Sequence, residues 1–252
     1  MILVGIRARF TFRPSLVRLA GAPMDMIRDN IQKLREEIAA VCMRSGRKTE
    51  EVRLVAVSKT VGTNRVQQAI DAGLDTFGEN YVREAMEKMG SLPSGIHWHF
   101  IGNIQRNKIK HIVGPFELIH SVGSTDMAVE IDRRAAQKGR IQPVLFEINL
   151  AGESTKSGFS PSQFFDTLQA LQVLRHLRPS GLMTMPPPID SVARLSGYFS
   201  ELREMRDRVL AQGVFGSAFR ELSMGTSMDY KIAINEGATM LRIGTLIFGP
   251  RG

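Results

Sequence analysis

The sequence predicts one α/β domain, a single (β/α)8 TIM barrel with a leading N-terminal helix. Three observations carry that expectation. Eight short apolar runs alternate with longer amphipathic segments; alternating βα units predict a parallel sheet, and about eight of them predict a closed barrel. The runs are rich in β-branched residues and nearly continuous in apolar character, as strands buried on both faces are. The chain has 252 residues, 43% of them hydrophobic. A barrel of roughly 250 residues forms one domain around one core.

The elements follow in order. Residues 1–24 hold Arg7, Arg9, Arg13 and Arg18 and no acid. They are expected to be a disordered extension or a mis-assigned start, with Met24 or Met26 as the alternative initiator. The arginines interrupt the apolar stretch that a secretory signal needs. The barrel is expected over residues 25–252. From 25 to 45, Ile27, Ile31, Leu34, Ile38 and Val41 recur at helical spacing. The apolar runs then fall at 52–59, 74–80, 97–102, 116–122, 143–151, 181–185, 221–225 and 240–249. Helix-start residues separate them: Thr63-Asn64, Asn80, Ser124-Thr125-Asp126, Ser160-Pro161 and Ser191. No helix is predicted after the eighth run, and the leading helix is expected to cover that gap. Pro186-Pro187-Pro188 reads as a rigid loop rather than a linker, and no repeat or low-complexity tract divides the chain.

The formal net charge is +8, and part of it sits in the first segment. Elsewhere cations and acids interleave, as in Arg83-Glu84-Ala85-Met86-Glu87-Lys88, the pattern of a solvated helix face. No aromatic-basic cluster is present to stack bases, so nucleic acid is not an expected partner. No apolar segment approaches the ~18 to 20 residues that span a bilayer, so no membrane role is expected. Cys42 is the sole cysteine, which excludes an intrachain disulfide and fits a reducing, cytoplasmic compartment. With no extra interface element in view, a monomer is expected.

Three segments could carry chemistry. Lys59 ends the run Leu54-Val55-Ala56-Val57-Ser58-Lys59. A lysine at the rim of a buried strand is poorly hydrated, and its neutral amine can attack an aldehyde. Ser223-Met224-Gly225-Thr226-Ser227 and Arg242-Ile243-Gly244-Thr245 supply hydroxyls and backbone N–H groups suited to a phosphate. The first leads into a helix predicted at 228–236, whose N-terminus is an anion site, and Gly225 allows close backbone approach. In a barrel the site lies at the C-terminal ends of the strands, and strands seven, eight and one are neighbours. The three segments therefore converge. An aldehyde that carries a phosphate describes pyridoxal 5'-phosphate (PLP).

Each segment also has a plainer reading. Lys59 could be a solvated strand-end lysine, and the serine-rich segment could be a turn with a helix cap. Arg242 could be an ordinary buried ion pair, with Glu221 as its structural partner. His97 and His99 stand two apart on one strand and face the same side, but no further ligands complete a metal set. Lys156, in the loop after strand five, reads as a solvated lysine near the same rim.

The chain is similar to the pyridoxal 5'-phosphate homeostasis protein family from about residue 26 to residue 252. The resemblance rests on Val55-Ala56-Val57-Ser58-Lys59-Thr60, Phe77-Gly78-Glu79-Asn80-Tyr81-Val82 and His97-Trp98-His99-Phe100-Ile101-Gly102. It continues through Gln105-Arg106-Asn107-Lys108, Gly181-Leu182-Met183-Thr184-Met185, Glu221-Leu222-Ser223-Met224-Gly225 and Arg242-Ile243-Gly244-Thr245. It implies a barrel like the N-terminal domain of alanine racemase, with PLP held as an internal aldimine on Lys59. It implies a phosphate site at Ser223, Gly225 and the backbone of Gly244 and Thr245. Arg242 is implied at the pyridine nitrogen and Asn80 near the ring. Thr226-Ser227-Met228-Asp229 departs from the family's usual pattern but keeps the Ser227 and Asp229 positions.

An always-charged arginine at the ring nitrogen disfavours its protonation and mutes carbanion chemistry. The second domain that completes alanine racemase has no counterpart here. The resemblance thus implies a PLP-binding protein that maintains PLP supply without established catalysis, with PLP-dependent apoenzymes as possible recipients. The alternative is a racemase-like enzyme, for which Lys156 or Tyr230 is the nominee for a second acid/base.

Overall fold

The computed structural model describes residues 24–153, 157–188 and 191–250. The basic extension before Met24 and Lys156 lie outside them. The leading helix, α1 (Met24–Arg44), has the expected stripe: Ile27, Ile31, Leu34, Ile38 and Val41 are all buried. Eight parallel strands follow: β1 (Arg53–Val57), β2 (Thr76–Glu79), β3 (His97–Phe100), β4 (Leu118–Val122), β5 (Gln142–Glu147), β6 (Leu177–Met183), β7 (Glu221–Thr226) and β8 (Met240–Ile243). They pair in sequence order, and β8 closes on β1.

The crossovers carry α2 (Thr63–Asp71), α3 (Val82–Ser91), α4 (Ile109–Ile112), α5 (Thr125–Gln137), α6 (Pro161–Asp166), α7 (Leu168–Gln172), α8 (Val192–Ala211) and α9 (Tyr230–Asn235). Three expected starts are true side-chain caps. Ser124 accepts from the Met127 N–H, Ser160 forms a reciprocal box with Gln163, and Ser191 accepts from the Arg194 N–H. Asn80 is not a cap, because α3 begins two residues later, after Tyr81.

Strand alternation makes two cores. Val55, Leu118, Leu145, Met183 and Met240 fill the barrel. Their sequence neighbours, such as Ala56, Ile119, Phe146, Leu182 and Leu241, face the helical layer. At its end the chain departs from expectation. β8 stops at Ile243, and Thr245–Phe248 forms a one-turn helix, α10. The apolar run at 240–249 hid this change, since an apolar run alone does not separate strand from buried helix. α1 packs on α2, α9 and α10, and Asn30 Nδ2 donates to the Ile247 carbonyl at 3.0 Å, so the leading helix does cover the gap between β8 and β1.

Candidate functional site

At the C-terminal end of β1 the chain passes through Ser58, which is buried, Lys59, which is half-buried, and Thr60, which is exposed. Val57 pairs with Gly78, so Lys59 stands beside the end of β2, where Asn80 lies. On its other side is the end of β8. There a Cβ added at Gly244 would stand 3.4 Å from the Val57 carbonyl oxygen and 3.5 Å from Val57 Cβ. The β7–α9 loop joins the same arc, with the Leu246 N–H 3.5 Å from Ser227 Oγ. Lys59, Ser227, Gly244 and Thr245 thus meet on one side of the rim, as the order of strands seven, eight and one requires.

Arg242 points into the barrel. It is buried, and its partners are neutral: Nη1 donates to Ser223 Oγ at 2.6 Å and Nη2 to the Thr184 carbonyl at 2.9 Å. Burial lowers it to about 10, with Asp229 and Glu147 pulling it back up from longer range, so the guanidinium stays charged at neutral pH. Glu221 is not its partner. It sits at the opposite end of β7 and accepts from Thr239 Oγ1 at 2.6 Å. Two residues along a strand separate Glu221 from Ser223, and that rise puts the carboxylate out of the guanidinium's reach.

Ser223 links Arg242 to a polar chain across the barrel. A guanidinium only donates, so Ser223 Oγ accepts from Arg242 and turns its own hydrogen toward His120 Nδ1, 2.9 Å away. His120 then carries its proton on Nε2 and donates to His99 Nδ1 at 3.0 Å, a tautomer assigned from the network. Burial pushes His99 down to about 4 and His120 well below its ordinary value, and nearby cations lower His120 further. Sequence reasoning missed His120. Its signal was a histidine inside the apolar run Leu118-Ile119-His120-Ser121-Val122, in phase with the inward-facing Leu118.

Above this chain the barrel mouth opens into a cavity of about 270 Å³, lined among others by Asn80, Asn103, Ser121, Glu147, Thr184 and Arg242. Asn80 Oδ1 is buried and has no hydrogen-bond partner among the described residues. A buried carbonyl oxygen without a donor is costly and suits a ligand that supplies one. The cavity therefore offers a buried cation with neutral hydrogen-bond partners and an orphaned acceptor, with Lys59 at the adjoining end of β1, a set that fits an aromatic aldehyde with an acceptor ring nitrogen.

Two of the expected phosphate residues have work elsewhere in this structure. The Ser223 hydroxyl is engaged below the rim, as described. Gly225 has φ +92°, and a Cβ there would lie 2.6 Å from Ala233 Cβ. It is required so that β7 can kink and α9 can pack closely, a reason different from backbone approach to an anion. In the loop beyond, Asp229 accepts from the Thr226 N–H and, at 2.9 Å, from Thr226 Oγ1.

Tyr230 does not reach the mouth. It is buried in the outer layer, donates to Glu37 Oε2 on α1 at 2.5 Å, and is raised to about 12 by burial and that carboxylate. Its position on α9, facing α1, removes it as an acid/base at the rim. Among the described residues His97 pairs with Glu117, and no group of three potential ligands gathers around a metal.

The sequence pattern of the family described as alanine racemase, N-terminal domain, matches residues 24–252. The pyridoxal phosphate homeostasis protein of Aquifex aeolicus is 38% identical over 224 residues, covering 88% of this chain and 97% of that protein. Its Escherichia coli K12 counterpart is 36% identical over 233 residues, covering 90% and 98%. The solved structure of PipY from Synechococcus elongatus with PLP bound is similar at a TM-score of 0.78 and 32% identity, covering 88% of this chain and all of that one. Clostridium difficile alanine racemase shares the fold at 17% identity and a TM-score of 0.68, with 57% of its chain covered.

Proposed function

Because the chain belongs to the pyridoxal phosphate homeostasis protein family, built on a barrel of the alanine racemase N-terminal-domain type, we propose that it binds PLP covalently through Lys59 and serves PLP supply rather than catalysis. Arg242 is the observation that carries this reading. It is a buried, charged guanidinium at the base of the mouth cavity, tied among the described residues to a serine hydroxyl and a backbone carbonyl. When bound, the cofactor supplies an aldehyde for a lysine amine and a pyridine ring whose nitrogen accepts a hydrogen bond. Arg242 would donate to that nitrogen and disfavour its protonation, which mutes the ring as an electron sink for amino-acid chemistry. The Ser223–His120–His99 chain holds the guanidinium in place. Asn80, whose side chain lines the same cavity, would hold the ring beside the aldehyde. Ser227 and the backbone of Gly244 and Thr245 would hold the phosphate, with Ser223 and Gly225 below them on β7.

Among the described residues no helix is long and apolar enough to cross a membrane. We place the protein in the cytoplasm, acting as a monomer that releases PLP to apoenzymes. The test is the visible absorption of the purified protein with added PLP, beside Lys59→Ala, followed by borohydride reduction and mass mapping. An imine band in the parent, a reduced adduct on Lys59 and neither in the variant support the reading. No band in the parent, or an adduct on another lysine, overturns it.

A further inference from the structure

The main chain on both sides of Lys59 is held by one buried ion network. Lys88, on α3, is 3% exposed. Its ammonium donates to the Ser58 carbonyl at 2.6 Å, to Glu79 Oε1 at 2.6 Å and to Glu84 Oε1 at 2.7 Å. All three of its hydrogens are used. Glu79 Oε1 also accepts from Ser58 Oγ at 2.6 Å, and Glu84 Oε1 accepts from the Thr60 N–H at 2.7 Å. Ser58 is thus tied by its carbonyl and its hydroxyl, Thr60 by its N–H, and Lys59 lies between them. Thr60 has φ +61° and is the only non-glycine residue with positive φ among those described. An L side chain adopts that conformation rarely, and it persists where its surroundings enforce it. Here the Val61 N–H closes a turn on the Ser58 carbonyl at 3.0 Å with Thr60 at its third position, and Glu84 holds the Thr60 N–H.

A buried ion network is a poor way to fasten a helix. Desolvating the charges offsets most of their attraction, and apolar residues of the same size serve stability as well or better. This network is concentrated on the two peptides that flank one lysine. We propose that Glu79, Lys88 and Glu84 form a positioning clamp that fixes the peptides before and after Lys59 and so presents its amine to an aldehyde at the barrel mouth. The proposal rests on the reading that Lys59 carries PLP. In the step concerned, the lysine nitrogen replaces the aldehyde oxygen on carbon, and the oxygen leaves as water with both amine hydrogens. Restricting the backbone beforehand removes orientational freedom that would otherwise be lost in reaching that geometry.

The clamp is tested with Glu84→Ala, Glu84→Gln and Lys88→Met in the full chain. Two probes are titrated: PLP, and pyridoxine 5'-phosphate, which has the ring and the phosphate but no aldehyde. Glu84→Ala is expected to form the imine about tenfold more slowly and bind PLP about tenfold more weakly, the scale of one charge-assisted hydrogen bond. Its affinity for the aldehyde-free probe should stay at the parent's value. Glu84→Gln keeps an acceptor for the Thr60 N–H and should fall between. Thr60→Gly in the Glu84→Ala background, where positive φ is free of strain, should recover part of the rate.

Parent-like imine formation in Glu84→Ala overturns the clamp. Equal losses for both probes also overturn it, because they mark general loosening of the site. Lys88→Met leaves the Glu79 carboxylate buried without its cation, so if it does not fold the Glu84 variants decide. Loss of the Lys59 reading is seen separately, as an imine that survives Lys59→Ala.

Discussion

Acid should unfold this protein through the histidines inside its barrel. His99 is lowered to about 4 by burial, and burial also holds His120 well below its ordinary 6.5. In the folded protein both are neutral in the chain that ends at Arg242; in the unfolded chain both bind a proton near pH 6.5. A depressed folded value contributes stability that is present above the unfolded pKa and is lost as pH falls through the interval below it. The slope is about 1.4 kcal/mol per pH unit for each histidine. The unfolded histidines are only half protonated at pH 6.5 and reach that slope below it, so from about pH 6.5 to about pH 5 the pair should remove about 3 kcal/mol, a large part of a typical 5–15 kcal/mol stability.

Other groups do not mimic this loss. Glu130, held at about 2 by Arg133 and Arg134, titrates at lower pH. Glu79 and Glu201, both raised by burial, act in the opposite sense and make the observed slope smaller. Urea denaturation midpoints at several pH values across this window, for the parent and for His120→Gln, measure the effect. The variant should start less stable at neutral pH and lose about half as much on acidification, about 1.5 kcal/mol. A parent whose stability is flat across the window, or a variant with the parent's full slope, would refute the reasoning.

Other expectations follow from single contacts. Gly225→Ala combines positive φ with a Cβ 2.6 Å from Ala233 Cβ; it should cost about 2–4 kcal/mol in chemical denaturation, the sum of left-handed strain and overpacking. Tyr230→Phe removes the bond to Glu37 and should cost about 1 kcal/mol, while PLP absorption stays at the parent's value. A changed spectrum would return Tyr230 to the site. Cys42 is buried and its thiol is raised by that burial, so a thiol reagent should leave the native protein unmodified and label it fully in urea. Rapid labelling of the native protein would contradict the packing of α1.

Much of the fold was legible because the signals are local. The stripe of α1 and the eight apolar runs depend on period and composition, and the Ser124, Ser160 and Ser191 caps depend on one side chain each. The errors arose where periodicity is silent. The run at 240–249 reads as one strand, yet Gly244 ends β8 and the next residues turn into α10. Asn80 has the chemistry of a helix cap, but α3 starts two residues later and its side chain lines the mouth instead. Tyr230 reads from the sequence as a nominee for a rim acid/base, but helical phase turns it to α1.

The sequence by itself determined the order of strands around the barrel and the rim position of Lys59, because alternation and strand order fix which ends adjoin. Partnership across the barrel was decided by tertiary structure alone. Arg242 found Ser223 and Thr184, not Glu221, and His120 found His99, 21 residues away. Lys88 reached back 30 residues to the carbonyl of Ser58. The reason is geometric. A hydrogen bond needs partners within about 3 Å, and only the shear and closure of the barrel set which side chains from different strands come that near.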